Sequence, residues 1–119
     1  MKIAVTSKGK DLDSPMDPRF GRARYILIVD TLNQGFEVLD NSENVNAFKG
    51  AGIQAAVRVS DRGAKILLTG YCGPNAFKTL NAAGVKVAND VTGTVRDAVS
   101  AYSQGKISFA DGANVEGSW

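Results

Sequence analysis

Asp17-Pro18-Arg19-Phe20-Gly21-Arg22-Ala23-Arg24 places three guanidinium groups around one aromatic ring. A guanidinium is planar, permanently charged and presents its N–H groups as a fork that matches an oxyanion. The segment therefore suits an anionic ligand, with Phe20 placed to cover an apolar or sulfide-rich face of it. A loop tied to the domain by ion pairs with the neighbouring aspartates would explain the same residues. A second segment, Thr69-Gly70-Tyr71-Cys72-Gly73-Pro74-Asn75-Ala76-Phe77, sets two glycines in a turn that leads from a strand into a helix. Glycine permits close backbone approach, and a helix N-terminus offers unpaired N–H groups, so the turn suits an anion as well. A tight turn that needs glycine for geometry alone gives the same pattern. Within it, Cys72 could act as a nucleophile or as a soft metal ligand, since a helix N-terminus lowers a thiol pKa. No histidine exists in the chain to serve as its base, and lone cysteines are commonly small buried hydrophobes.

Other chemistries lack their residues. With no histidine and one cysteine, an ordinary zinc site cannot be assembled. Asp11-x-Asp13-x-Pro15 departs from a calcium loop, lacking the glycine and the final glutamate. No phosphate-binding G-x-x-x-x-G-K-[ST] occurs. Gly50-Ala51-Gly52-Ile53-Gln54-Ala55 fits the loose dinucleotide pattern G-x-G-x-x-A. It follows a polar loop rather than a strand, however, and lacks an acidic residue about 20 positions later at a strand end.

The elements that must position these residues are legible from periodicity. Lys2–Thr6 and Tyr25–Val29 read as buried strands, and Phe36–Asp40 alternates as a third. A polar turn over residues 31–35 joins the last two as an antiparallel hairpin. Residues 7–22 form a long loop and residues 41–49 a polar one. After Gly50-Ala51-Gly52, the residues Ile53, Ala56, Val57 and Ser60 fall at helical spacing and predict a helix that stops at Arg62-Gly63. Lys65–Thr69 is a fourth strand. Pro74 opens a second helix with Phe77 and Leu80 on its buried face, and Gly84 lies past its end. Val85–Ala88 is a short fifth strand. Val95, Ala98, Val99 and Tyr102 define a third helix that Gly105 ends.

The order β-β-β-α-β-α-β-α gives an α/β domain with a five-stranded mixed sheet, strand two antiparallel to strand one. The first strand is expected at the centre, parallel to the fourth. All three helices then begin at one edge of the sheet, the usual ligand crevice of an open α/β fold. The same order describes a ribonuclease H-like three-layer domain, but strand one carries no acid, so two-metal nuclease chemistry is not expected.

A chain of 119 residues, 44% hydrophobic and 22% charged, fits one globular domain. We assign it to residues 1–107, with 108–119 a flexible, fraying tail. A net charge of +2 is too small to argue for nucleic acid. No apolar run approaches bilayer length or a secretory h-region. One cysteine excludes an intrachain disulfide, so the expected setting is cytoplasmic.

Arg19-Phe20-Gly21-Arg22-Ala23, followed by Gly50-Ala51-Gly52-Ile53-Gln54-Ala55-Ala56 and by Leu68-Thr69-Gly70-Tyr71-Cys72-Gly73-Pro74-Asn75-Ala76-Phe77, resembles the dinitrogenase iron–molybdenum cofactor-binding family. Ala83-Gly84-Val85-Lys86-Val87 and Gly93-Thr94-Val95-Arg96-Asp97-Ala98-Val99 fit it too, so that the resemblance spans residues 1–107. It implies a ribonuclease H-like domain that binds or carries a metal–sulfur cluster without catalysis. The chain looks most like the small stand-alone members, such as the orange proteins of sulfate-reducing bacteria, which carry a molybdenum–copper sulfide cluster. Some nitrogenase-associated members have histidines in their cluster-binding regions, and this chain has none.

A polyanionic cluster brings its own sulfide, so the protein need supply only positive charge and N–H donors. The candidate contacts are Arg19, Phe20, Gly21 and Arg22, then Gly50 and Gly52, then Gly70, Tyr71, Cys72, Gly73, Pro74 and Asn75, with Cys72 as the one candidate metal ligand. The resemblance implies a molybdenum–copper sulfide or a related molybdenum or iron–sulfur cluster as the cargo. Protein partners would act in its assembly or transfer, and neither nucleic acid nor membrane is expected. Two other readings compete: a small thiol- or nucleotide-dependent enzyme, and a regulatory or assembly module that senses the cluster.

Overall fold

The computed structural model describes residues 1–33, 35–45 and 50–114. Five strands, β1 (Lys2–Ser7), β2 (Tyr25–Asp30), β3 (Phe36–Asp40), β4 (Ala64–Leu68) and β5 (Lys86–Ala88), form one sheet in the order β3-β2-β1-β4-β5. β1 pairs antiparallel with β2 and parallel with β4, which is in turn parallel to β5. The central place expected for the first strand is therefore observed. Ser7 lies opposite Tyr25, Tyr25 opposite Asp40, and Leu68 opposite Ala88. The ends of β1, β3, β4 and β5 and the start of β2 thus share one sheet edge.

The helices are α1 (Ser42–Val45), α2 (Ala51–Asp61), α3 (Pro74–Ala82) and α4 (Val95–Ser103). Alternation along each strand sends side chains to opposite faces, and both faces are covered. Ala4, Ile26, Ile28 and Leu67 share one buried cluster with Ala55, Val59 and Leu80 of α2 and α3. Ile3, Val5, Leu27 and Leu68 share the other with Val95 and Ala98 of α4. The result is three layers with the sheet in the middle. Among the described residues no helix is long and apolar enough to cross a membrane.

Three local expectations change. The polar loop over 41–49 contains α1, which starts where Asn41 accepts from the Asn44 backbone N–H (2.9 Å) and its side-chain amide (2.8 Å); residues 46–49 lie outside the described residues. The buried stripe of α2 is Ala51, Gly52, Ala55, Ala56 and Val59, whereas Ile53 and Val57 are 42% and 45% exposed. Small residues let α2 pack closely against its neighbours, and that requirement outweighs the greater hydrophobicity of the branched ones. Past Lys106 the chain is in contact with the domain as far as Asn114: Ala110 N–H donates to the Val87 carbonyl at 2.7 Å, and the Lys86 ammonium lies over the Phe109 ring.

Candidate functional site

Two buried threonines at the ends of β1 and β4 begin the site. The Thr6 hydroxyl donates to the Asp17 carbonyl at 2.6 Å, while Asp17 N–H donates back to the Thr6 carbonyl at 3.1 Å. The Thr6 and Thr69 hydroxyls lie 3.0 Å apart. Because Thr6 has already committed its one proton, Thr69 is the donor of that pair. The strand ends thereby grip the arginine-bearing loop at Asp17.

One residue further on, the loop joins the glycine turn directly. Arg19 and Tyr71 form a parallel bridge, with Tyr71 N–H donating to the Pro18 carbonyl (2.6 Å) and Phe20 N–H to the Tyr71 carbonyl (3.0 Å). A Cβ on Gly70 would sit 2.7 Å from the Pro18 oxygen and 2.9 Å from its Cα. Glycine at position 70 is what admits the two backbones to each other. The segments that sequence reading singled out, at 19–22 and 70–75, are therefore one structural unit.

Asp17, only 5% exposed, organises the loop from within. Its carboxylate accepts from Arg19 N–H (3.1 Å) and Arg24 N–H (3.4 Å), and the Arg19 guanidinium stands 3.7 Å away. Asp13 instead pairs with Arg96, which holds its carboxyl below the usual carboxylate range through hydrogen bonding and charge. The ion-pair explanation for the loop thus applies to Asp17 and Arg19. The Arg19 side chain stays 44% exposed, Arg22 is half-buried, and Arg24 turns over the Tyr25 ring, 5.5 Å from its centre. Asn41, fully buried, donates to the Gly21 and Ala23 carbonyls at 3.0 and 2.8 Å. Sequence reading missed this brace, since a single asparagine after a strand looks like turn chemistry.

Phe20 faces the core. Its ring is fully buried, clustered with Ala55, Cys72 and Ala76, because a large apolar side chain gains more from the core than from the edge. It anchors the loop that carries Arg19 and Arg22. Cys72 is buried beside it, and loss of water pushes its thiol up to about 12. Desolvation outweighs the helix N-terminus, leaving a neutral thiol that is a poor nucleophile and a poor ligand.

The N–H groups of the edge differ in availability. Thr94 and Asp97 close a capping box on α4, and Val95 and Arg96 N–H donate to the Ser14 and Leu12 carbonyls. The start of α4 is thus already satisfied, which leaves the starts of α2 and α3 as the two without a capping partner among the described residues. Gly73 precedes α3 and Gly50, at φ 81, precedes α2; neither helix has a side-chain cap. In the turn itself Tyr71 N–H goes to Pro18 and Cys72 N–H goes to the side-chain oxygen of Asn114, 2.8 Å away. Gly52 is buried in the first turn of α2, while Tyr71, Pro74 and Asn75 are exposed on the rim.

Among the described residues, no three His, Cys, Asp or Glu side chains gather as metal-ion ligands. The donor set is guanidinium and amide, which fits a cluster carrying its own sulfide and not a bare ion. A cavity of about 220 Å³ is lined by Leu12, Val29, Arg96 and Val99, none of them a candidate contact, and its arginine is the one paired with Asp13.

Comparison with known proteins follows the same line. The apo orange protein from Desulfovibrio gigas superposes with a TM-score of 0.93 at 46% identity, over 96% of each chain. A Thermotoga protein provisionally described as NifB gives 0.84 at 38% identity, over 98% of each chain. A Methanocaldococcus jannaschii protein, at 16% identity and a TM-score of 0.69 over 94% of this chain and 96% of that one, shares the fold. A search of curated proteins gave no match. The model of the dinitrogenase iron–molybdenum cofactor family matches residues 1–105, and the chain belongs to that family of cofactor-binding and carrier domains.

Proposed function

We propose that this domain binds and carries an anionic metal–sulfur cluster, molybdenum-containing and of the molybdenum–copper sulfide type, without transforming it. The observation that carries the reading is the junction of the two segments. Backbone pairing between Pro18–Phe20 and Tyr71 sets the Arg19 loop directly beside the uncapped start of α3. Arg19 and Arg22 supply charge, Gly21 and Gly73 allow close approach, and the first-turn N–H groups after Gly73 and Gly50 supply donors. Cargo of this kind keeps its own sulfide shell, so Cys72 need not ligate it. The buried, neutral thiol also speaks against a thiol-dependent enzyme. A carrier hands its cargo on, so protein partners in cluster assembly or transfer, in a cytoplasmic setting, belong to the same reading.

The test is titration of the protein with tetrathiomolybdate, with and without copper, at two ionic strengths. A charge-assisted hydrogen bond to a desolvated anion contributes about 1.5–3 kcal/mol, against about 0–1 kcal/mol for an exposed pair. Arg19→Ala and Arg22→Ala should each weaken uptake about tenfold or more, Lys106→Ala hardly at all, and added salt should weaken it further. Equal, salt-insensitive affinity of the wild type and the Arg19/Arg22 double variant would place the site elsewhere.

A further inference from the structure

The segment after α4 returns to the same edge, reaching it at Asn114. Asn114 makes four contacts there: its Oδ1 accepts from Cys72 N–H (2.8 Å), its Nδ2 donates to the Gly70 carbonyl (2.9 Å) and reaches Asp90 Oδ1 (3.5 Å), and its own N–H donates to the Cys72 carbonyl (3.2 Å). One exposed side chain thus spans the Gly70–Cys72 turn and occupies the N–H nearest to α3 within it.

Among the described residues, the rest of the segment is fastened by a few peripheral contacts. Ala110 pairs with Val87, Ile107 packs partly buried on the core, the Lys86 ammonium lies over Phe109, itself 39% exposed, and Asn89 Nδ2 reaches the Gly112 carbonyl at a long 3.4 Å. Beneath it, the buried Asn89 Oδ1 has no hydrogen-bond partner among the described residues, and Asp90 sits in the left-handed region at φ 61. A buried acceptor without a donor weakens the closed arrangement. By contrast, the pairing of Tyr71 with Pro18 and Phe20 is covered by the fully buried Phe20 ring. The turn is therefore held under a buried ring on its arginine side and by a single exposed residue on its Asn114 side.

We infer that residues 106–114 form a displaceable strap, in which the Asn114 carboxamide stands in for the anionic cargo at the Cys72 N–H and leaves when the cargo arrives. The inference rests on the cluster reading above and adds a regulatory step to it. An N–H has one hydrogen to donate, so Asn114 and an anion at that position exclude one another. Apparent affinity is then reduced by the fraction of molecules in which the strap is open.

The experiment compares tetrathiomolybdate titrations of the full-length wild type and Asn114→Ala, with amide hydrogen exchange of the wild type before and after saturation. Removing the carboxamide should tighten uptake about three- to tenfold, the direction opposite to that of the arginine variants. Saturation should speed exchange at Ala110 and Asn114 and leave Phe20 and Tyr71 protected. Uptake by Asn114→Ala alone would support the strap in its strongest form. Equal or weaker uptake by Asn114→Ala, or unchanged exchange at Ala110 and Asn114, would overturn the strap and leave the cluster reading standing. No uptake by either protein would overturn both.

Discussion

Gly70→Ala is the sharpest test of how the site is assembled. The added methyl would meet Pro18 O at 2.7 Å, Pro18 Cα at 2.9 Å and Pro18 Cβ at 3.0 Å. Two of these are backbone atoms, so no flexible side chain can swing away. Relief requires the 18–20 segment to part from the turn, which breaks the Tyr71–Pro18 and Phe20–Tyr71 hydrogen bonds and shifts the buried Phe20. Overpacking costs about 1–3 kcal/mol, and each lost hydrogen bond adds about 0.5–1.5 kcal/mol. A total near 2–6 kcal/mol should lower Tm by roughly 8–24 °C for a domain of this size. Gly112, where a Cβ meets nothing within 4 Å, is the control, and its alanine variant should stay within about 0.5 kcal/mol of wild type. Urea and thermal unfolding followed by circular dichroism measure both. Because the same movement carries Arg19 away from α3, thiomolybdate uptake should fall with stability. A Gly70→Ala protein as stable as Gly112→Ala would refute the close approach and, with it, the joined site.

Two buried polar groups, Cys72 and Asn41, give further outcomes. Cys72→Ala should keep thiomolybdate uptake within about twofold of wild type, since a desolvated thiol offers a cluster little. The native thiol should resist alkylation near neutral pH; rapid native-state labelling would refute its burial. An unfolded thiol ionises near 9 while the folded one holds its proton to about 12, so the unfolded state binds fewer protons between those values. Stability should fall as pH rises through that window, and the Cys72→Ala protein should lose less of it than wild type. Asn41→Ala strands the Gly21 and Ala23 carbonyls and should cost about 2–4 kcal/mol in urea unfolding, with weaker uptake through a loosened Arg22; an unchanged midpoint would show that the loop is braced elsewhere.

The sequence by itself determined the strands and the three longer helices, because the periods that mark them are local. β-branched runs at 2–6 and 25–29, the hairpin to 36–40 and the stripe Val95, Ala98, Val99, Tyr102 required no knowledge of distant partners. Element order made a central first strand the arrangement to expect, and the fold decided it. Tertiary structure decided which groups at the edge are free. Ile53 and Val57 face outward because close helix packing favours alanine, a matter of shape that hydropathy does not encode. Phe20 and Cys72 are withdrawn into the core beneath the segments that made them look like ligand contacts. The start of α4 is satisfied by Leu12 and Ser14, more than 80 residues earlier, and Cys72 N–H by Asn114, 42 residues later. A residue's type sets what it can donate or accept, but whether that capacity remains for a ligand depends on which distant backbone the fold brings within 3 Å.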